Sequence, residues 1–360
     1  MDFDYSDEQR ALREAVRALL GKTYATIDGR RAATAKDPGF DEAVWSRLAE
    51  MGVLGLPFPE EAGGMGAGPV EVAVVAEELG RVLAPEPFVE AVVLCGGLLA
   101  RAGADVSAIA NGTVLPAYVG GPGVTARRDG DLWVLDGSAS PVLNGARADL
   151  LVVVAEVDGT PALFTTAQGE RTAFATYDGG RAARVTFDGT AAGPIGDPAA
   201  DASGTIAYAR ACAQAAYAHE ALGAMERALE MTRDYLRDRH QFGKPLKAFQ
   251  NLAFRASDMY VCLELARSMA LWASLVLQDG DEAEGVEAAS RAKLRAAESG
   301  RRIGQEAIQL HGGIGLTMEY GVGHYAMRLT TIEHLLGDRR QHLAGLAAAV
   351  GDHRGVDPLR

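Results

Sequence analysis

The sequence of 360 residues predicts an α+β protein with three domains, and three patterns carry this prediction. Apolar residues recur at three- and four-residue steps in residues 1–112, short apolar runs alternate with turn dipeptides in residues 113–202, and long helical repeats return in residues 203–360. These patterns indicate an N-terminal helical domain, a small antiparallel β-barrel or sandwich and a C-terminal up-down helical bundle.

The N-terminal domain begins with Ser6 and Gln9, which form a capping-box pattern and predict a first helix. A second helix is predicted from about Asp41 to Met51. Segment 55–66 has too many glycines and prolines for regular structure, and it lacks the strand–turn–helix context of a dinucleotide motif, so we expect a loop. Further helices are predicted at 69–82 and 88–102.

The middle domain contains four short apolar runs, which are separated by dipeptides that are typical of turns. Strands this short bury both faces only if the sheet closes or stacks, which favours a barrel or a sandwich. The runs cover 132–135, 150–155, 162–164 and 184–187, and the turn dipeptides are Asp129-Gly130, Asp136-Gly137, Asp158-Gly159 and Asp178-Gly179.

The C-terminal domain is predicted to be a bundle because its long helices are joined by tight turns. The first helix runs from about Ser203 to Arg237, and Gly312-Gly313 is expected to end the third. The other helices are predicted at 251–278, 287–311, 322–335 and 338–350.

Composition narrows the class of protein. The chain carries 35 Lys and Arg against 48 Asp and Glu, and a net charge of -13 argues against nucleic-acid binding. Cys95, Cys212 and Cys262 have no paired spacing, so we expect no metal site, no disulfide framework and a reducing, cytoplasmic location. The N-terminus lacks the blocks of a signal peptide, and charges interrupt every apolar run, so no membrane partner is expected.

A candidate binding feature lies where the first bundle helix ends. Arg239, Phe242 and Gln250 gather a cation, an aromatic ring and an amide at one helix–helix junction. Arginine offers a fixed fork of donors to phosphate, and the next helix offers free N–H groups at its N-terminus. This combination would suit a phosphorylated, ring-bearing cofactor, although the same spacing is also typical of a solvated basic turn.

The domain order, with the Arg239-x-x-Phe242-Gly243 motif and the segment Gln309-Leu310-His311-Gly312-Gly313, resembles the acyl-CoA dehydrogenase family over essentially the whole chain. The resemblance implies an FAD enzyme in which a carboxylate removes the α proton of an acyl-CoA thioester, a hydride leaves the β carbon for flavin, and electron-transferring flavoprotein accepts the electrons. In this family the matching residues reach across a subunit boundary to a neighbour's FAD. Carried over, these roles fall on Arg239, Phe242, Gln250, Gln309, Gly312 and Gly313.

The departures from the family pattern concern the catalytic base. Leu336 occupies the position where the resemblance places a catalytic glutamate, and a leucine cannot accept a proton. The family's other base position falls at Cys212-Ala213, again without a carboxylate. Glu220 is the nearest candidate for a base, although a glutamate on a helix is more often solvated or paired.

The residues that should surround the flavin ring depart as well. The run 115–121 replaces the family's aromatic-x-x-Thr-Glu pattern, and 140–143 replaces a strand containing tryptophan. Pro141 also removes a backbone donor.

Together these features resemble the short subunit of actinobacterial heteromeric (α2β2) steroid side-chain acyl-CoA dehydrogenases. In that hypothesis a longer homologous subunit supplies the catalytic glutamate, while this chain contributes to the FAD site. Two alternatives stay open: a self-sufficient homo-oligomeric dehydrogenase that uses Glu220, and a purely structural partner subunit.

Overall fold

The computed structural model describes residues 5–352, and its first part is helical. The capping box of the first helix is confirmed, because Ser6 Oγ accepts from the Gln9 N–H at 3.2 Å and Gln9 Oε1 accepts from the Ser6 N–H at 2.9 Å. The elements are α1 (Asp7–Thr23), α2 (Ile27–Ala35), α3 (Glu42–Glu50), α4 (Pro69–Val82), a π-helical segment (Phe88–Gly96), α5 (Gly97–Arg101) and α6 (Ser107–Ala110).

Two features of this part differ from the prediction. Helix α2 was not predicted, because only one of its residues, Arg30, is buried and its sequence therefore carries no apolar period. The helix predicted at 88–102 forms, but its first nine residues are π-helical. Because almost every residue of this run is apolar, the sequence shows no helical period. It therefore could not distinguish a π-helix from an α-helix.

The middle of the chain is a closed barrel, one of the two forms that the sequence predicted. The strands pair in the order β1-β4-β2-β3-β7-β5, an additional β4–β5 pairing closes the ring, and β6 pairs with β7. The strands are β1 (Pro116–Val119), β2 (Val124–Asp129), β3 (Leu132–Leu143), β4 (Leu150–Val157), β5 (Thr160–Thr166), β6 (Glu170–Ala175) and β7 (Arg181–Ile195).

The expectation of a purely antiparallel sheet is wrong in one place. Strand β4 runs parallel to β1 over four residue pairs and meets β2 in parallel at Thr125 and Glu156. Parallel neighbours need a long crossover connection, and the β2–β3 hairpin supplies it between β1 and β4. The sequence pattern could not show this pairing, because local alternation is the same in both orientations.

The dipeptide Asp136-Gly137 is also not a turn. It lies inside β3, where the register against β7 shifts between Leu135 and Gly137. Gly137 has φ +117, and a Cβ atom at this position would lie 1.9 Å from the carbonyl oxygen of Gly123. The glycine therefore serves a β-bulge at a close backbone approach, rather than a chain reversal.

The last part of the chain is the predicted helical bundle. Helix α9 starts five residues before its predicted start, because Asp281 caps it by accepting from the Ala283 and Glu284 N–H groups. The acidic residues Glu282 and Glu284 therefore lie in the first turn of the helix, where negative charge interacts favourably with the helix dipole. The helices are α7 (Ser203–Asp238), α8 (Gln250–Asp279), α9 (Glu282–His311), α10 (Val322–His334) and α11 (Arg339–Ala348).

Helix α8 corrects the expectation that no apolar run is long enough for a membrane. It contains an 18-residue window of mean hydropathy 1.4, which suffices to cross a membrane by length and composition alone. In the fold, α8 packs against α7 and α9 through Met259, Leu263 and Ala270. Its outer face leaves Phe254, Tyr260, Val261 and Leu265 exposed.

One hydrophobic core joins the N-terminal helices to the bundle, and it depends on a close crossing of α4 and α7. A Cβ atom at Gly80 would lie 1.9 Å from the Glu220 carbonyl oxygen, and one at Gly223 would lie 1.9 Å from the Glu77 carbonyl oxygen. Only glycine permits these two backbones to approach so closely.

An arginine that binds two buried carboxylates connects the barrel to the bundle. Arg328 of α10 donates to Glu220 of α7 at 2.7 Å and to Asp178, in the turn between β6 and β7, at 3.0 Å. Burial alone would lower the pKa of Arg328, but the two carboxylates outweigh burial and raise it. The guanidinium is therefore a fully charged link between two parts of the fold.

Replacing Arg328 with leucine should destabilise the protein by about 3–5 kcal/mol, because two buried carboxylates lose their counter-charge. Chemical denaturation of the purified chain measures this change. The matched control is Arg302→Ala, which removes the exposed pair with Asp258 and should cost less than about 1 kcal/mol. Equal losses in the two variants would contradict the linking role of Arg328.

Candidate functional site

The segment after α7 forms a small exposed hairpin. His240–Gln241 pairs with Lys244–Pro245, and the two residues between them, Phe242 and Gly243, have φ values of +52 and +76. Positive φ at both central positions is typical of the tightest hairpin turns, and the structure accepts it even at a phenylalanine. The result is a ring that is 89% exposed at the tip of the turn.

Arg239 and Gln250 lie at the two ends of this segment. Arg239 follows the last residue of α7, and Gln250 is the first residue of α8; both side chains are exposed. Within residues 5–352 the Arg239 guanidinium has no ion-pair partner, so it is available to an external anion. The Phe249 ring lies 6.2 Å from the Phe242 ring, and the Lys244 ammonium lies 4.3 Å from the Phe249 ring centre.

The second motif lies at the same end of the bundle. The rings of Tyr235, one turn before Arg239, and His311 are 4.6 Å apart, and Tyr320 closes the cluster at 5.0 Å from His311. Helix α9 ends at His311, and Gly312, with φ +64, turns the chain away. Aromatic packing thus brings the two sequence motifs together, although about 70 residues of chain separate them.

We call the six predicted cofactor contacts the motif patch. All six are exposed in the isolated chain. An unpaired guanidinium and an exposed aromatic ring fit the pyrophosphate and ring parts of FAD. The members are Arg239, Phe242, Gln250, Gln309, Gly312 and Gly313.

Leu336 lies in a loop that buried polar contacts hold in place. Leu336 has φ +56, and its carbonyl oxygen accepts from Gln214 Nε2 at 2.8 Å. The Lys293 ammonium, fully buried beneath the loop, donates to the carbonyl oxygens of Ile332 at 2.7 Å and Gly337 at 3.3 Å. Burial lowers the pKa of Lys293 to about 8. The loop therefore has an ordered shape although its central side chain is apolar.

The same loop borders a cavity of about 220 Å³, which we call the Leu336 cavity. Pro141 lines it from β3 and has no backbone N–H to offer a ligand. Tyr118, whose hydroxyl accepts from Arg210 at 3.4 Å, lines the cavity from β1. The barrel side predicted to surround the flavin ring thus does face this cavity. The residues around it are Glu90, Leu94, Tyr118, Gly120, Pro141, Leu143, Arg210, Tyr217, His334, Leu335, Leu336 and Gly337.

Glu220 is not among the residues that border this cavity. It is buried and bonded to the Arg328 guanidinium, which makes it part of the link between bundle and barrel. Its neighbour His219 lies between Glu77 at 2.9 Å and Ser274 at 3.0 Å. These three side chains resemble the order of a hydrolytic triad, but each is buried in helix packing and none borders a cavity described above.

Sequence reasoning missed the carboxylate that does face the cavity, Glu90. It accepts from the Tyr217 hydroxyl at 2.5 Å, and burial raises its pKa above the ordinary range. A signal was present, since Glu90 is the one charged residue in the otherwise apolar run 88–100. A charge within such a run is costly unless the structure uses it.

Two family models match the chain. The acyl-CoA dehydrogenase N-terminal domain matches residues 6–107, and the acyl-CoA dehydrogenase C-terminal domain matches residues 201–350. Acyl-CoA dehydrogenase IpdE2 of Mycobacterium tuberculosis is 34% identical over 348 residues, which cover 96% of this chain and 98% of the relative. Acyl-CoA dehydrogenase FadE27 of the same organism is 30% identical over 357 residues, covering 94% of this chain and 95% of that protein.

Solved structures agree with this result. The ChsE4-ChsE5 complex from Mycobacterium tuberculosis contains a chain with a TM-score of 0.89 and 26% identity, covering 99% of this chain and 100% of that chain. The Tcur3481-Tcur3483 steroid ACAD variant has a TM-score of 0.87 and 29% identity, covering 96% and 98%. The family's cofactor is FAD. The fold, the motifs and these relatives lead to one conclusion: the chain belongs to the acyl-CoA dehydrogenase family.

Proposed function

We propose that this chain is one subunit of a heteromeric FAD-dependent acyl-CoA dehydrogenase. The assembly removes hydrogen from the α and β carbons of an acyl-CoA thioester, with a steroid side-chain CoA as its substrate class and electron-transferring flavoprotein as its electron acceptor. This chain contributes the motif patch to the FAD site, while a longer homologous subunit supplies the catalytic glutamate. The observation that carries the proposal is the combination of an intact motif patch with a leucine at the base position.

The assignment of roles follows from what each side chain can do. A guanidinium such as that of Arg239 binds a pyrophosphate through a fixed fork of charged donors, and Phe242 offers an exposed ring for packing. Leu336 has no group that can take up a proton, although the loop around it is well held. FAD, when bound, accepts the hydride from the β carbon. A complete reaction therefore needs a base at a position other than 336, and we assign this role to the glutamate of the longer subunit.

The surface of the chain supports a partner. The outer face of α8 leaves four large apolar residues exposed, and Leu316 and Met318 are exposed beside the motif patch. Several large exposed apolar residues on one part of a surface are typical of protein interfaces. One structural relative belongs to the ChsE4-ChsE5 complex, and the other is named Tcur3481-Tcur3483 steroid ACAD. These likenesses support both the heteromer and the substrate class.

We expect the chain to bind FAD only together with its partner. Expressed alone it should be colourless, and co-expressed with the product of a neighbouring gene that encodes a longer family member it should yield a yellow complex. Flavin absorbance of the purified proteins measures this, with the partner expressed alone as the control. A yellow, active homo-oligomer from this chain alone would contradict the proposal and support a self-sufficient dehydrogenase.

Within the assembled complex, Arg239→Ala should weaken FAD retention. Loss of a charge-assisted contact to phosphate is expected to cost about 1.5–3 kcal/mol. Equilibrium dialysis of the complex, followed by flavin absorbance, measures this loss. Arg237→Ala is the matched control, because Arg237 is also exposed but is the last residue but one of α7 and pairs with Asp234. Unchanged FAD content in Arg239→Ala would instead favour a purely structural subunit.

The exposed face of α8 should be needed for assembly. The double change Val261→Glu and Leu265→Glu places two charges on this face, and desolvating them at an interface is costly. Sedimentation velocity of the co-expressed proteins should then show separate subunits. Leu132→Glu, which charges an exposed apolar residue on the barrel, should leave the complex intact. Assembly that survives the double change would place the interface elsewhere.

A further inference from the structure

The Leu336 cavity contains a carboxyl group that the proposed function does not use. Among the described residues that line this cavity, Glu90 is the only carboxylate. Tyr217 occupies one of its oxygens, Oε1, at 2.5 Å. No other residue within 5–352 donates a hydrogen bond to the second oxygen, Oε2. Glu90 is only partly buried and is one of the residues that line the cavity.

Glu90 differs from most other enclosed carboxylates because it has no basic partner in the part of the chain that the structure describes. Burial is the main cause that raises the pKa of Glu90, and the charge of Glu220 acts in the same direction. Arg328 opposes this shift, but its guanidinium already binds two other carboxylates. The enclosed carboxylates that do have basic partners are Glu77, Glu78, Asp178 and Glu220.

The position of Glu90 also points to a ligand. It lies in the π-helical segment Phe88–Gly96, and single stretches of π-helix occur frequently at functional sites. Four residues later, Leu94 lines the same cavity, so one side of the segment presents a polar and an apolar group together. Such a mixture of an apolar wall with one placed polar group is typical of small-molecule sites.

The protonation of this pair can be assigned from its surroundings. Burial, together with the neighbouring Glu90, raises the pKa of Tyr217 well above its ordinary value, so its hydroxyl stays neutral and donates to Oε1. When Glu90 is protonated, its proton is then on Oε2 and is free to be donated into the cavity. The ionisable groups around Glu90 are Arg210, Tyr217 and Glu220 of α7, Tyr118 of β1, Arg328 and His334 of α10, and Cys95 of its own segment.

We propose that the Leu336 cavity binds an uncharged apolar group that bears a carbonyl oxygen, and that Glu90 donates the hydrogen bond that selects this oxygen. The apolar body packs against leucines 94, 143, 335 and 336. The proposed function enters only in naming the natural ligand, which would be an acyl-CoA whose acyl part carries a ketone. Binding itself depends on the geometry of this chain alone.

The bicyclic ketone 2-decalone tests this inference by isothermal titration calorimetry on the full chain. Glu90→Leu should weaken binding about tenfold, because the carbonyl oxygen loses its donor. For the unchanged chain, affinity should fall as the pH rises through the raised pKa of Glu90, since only the protonated acid donates. Glu90→Gln keeps an N–H donor at every pH, so it should bind with little pH dependence.

Glu86→Gln is the matched control. Burial raises the pKa of Glu86 to about 7, but Glu86 bonds the Tyr24 hydroxyl and does not line the cavity. This change should leave both the affinity for 2-decalone and its pH dependence unaltered. Circular dichroism checks that each variant is folded, and the isosteric Glu90→Gln variant preserves the test if Glu90→Leu does not fold.

Two results would overturn the inference: no binding of 2-decalone by the unchanged chain, or the same affinity and pH profile in Glu90→Leu. Neither FAD nor a partner is required for the measurement. Its failure is therefore distinguishable from failure of the co-expression experiment, which tests the proposed function.

Discussion

The guanidinium of Arg328 is the constraint on which the arrangement of the bundle and the barrel depends. It lies in α10 and binds one carboxylate from α7 and one from the barrel, so the bundle and the barrel cannot shift without breaking a charged contact. Burial alone would raise the pKa of Asp178, but Arg328 and Thr176 keep it lowered, so its negative charge is retained. Isolated buried charges would be expensive, and here each one has a partner.

This pairing has a consequence for chemistry. Glu220 is bonded to the Arg328 guanidinium and does not line the Leu336 cavity. The structure therefore gives no support to the hypothesis that Glu220 is the base. Glu90, by contrast, borders the cavity and has no basic partner among the described residues. The two glutamates thus differ in their partners: Glu220 is paired with an arginine and has a structural role, whereas Glu90 is available to a ligand.

The two halves of the family's cofactor region have different characters in this chain. Around Leu336 the loop keeps its shape through Lys293 and Gln214, yet its side chain is inert toward protons. At the far end of α7, the motif patch stays exposed and polar, and aromatic packing holds its two segments together. The proposed heteromer rests on this contrast between an exposed polar patch and an ordered loop without a base.

The sequence by itself determined the domain order, the small β domain of short strands, the long helices and the family, because these depend on apolar periodicity and on local motifs. Only the tertiary structure decided the parallel β1–β4 pairing, the bulge at Gly137 and the commitment of Glu220, since each depends on which segment lies opposite. It also revealed Glu90, whose role depends on a neighbour, Tyr217, that is distant in the chain. Local sequence patterns determine helices and strands. Long-range packing determines which polar side chains have partners and which remain available to a ligand.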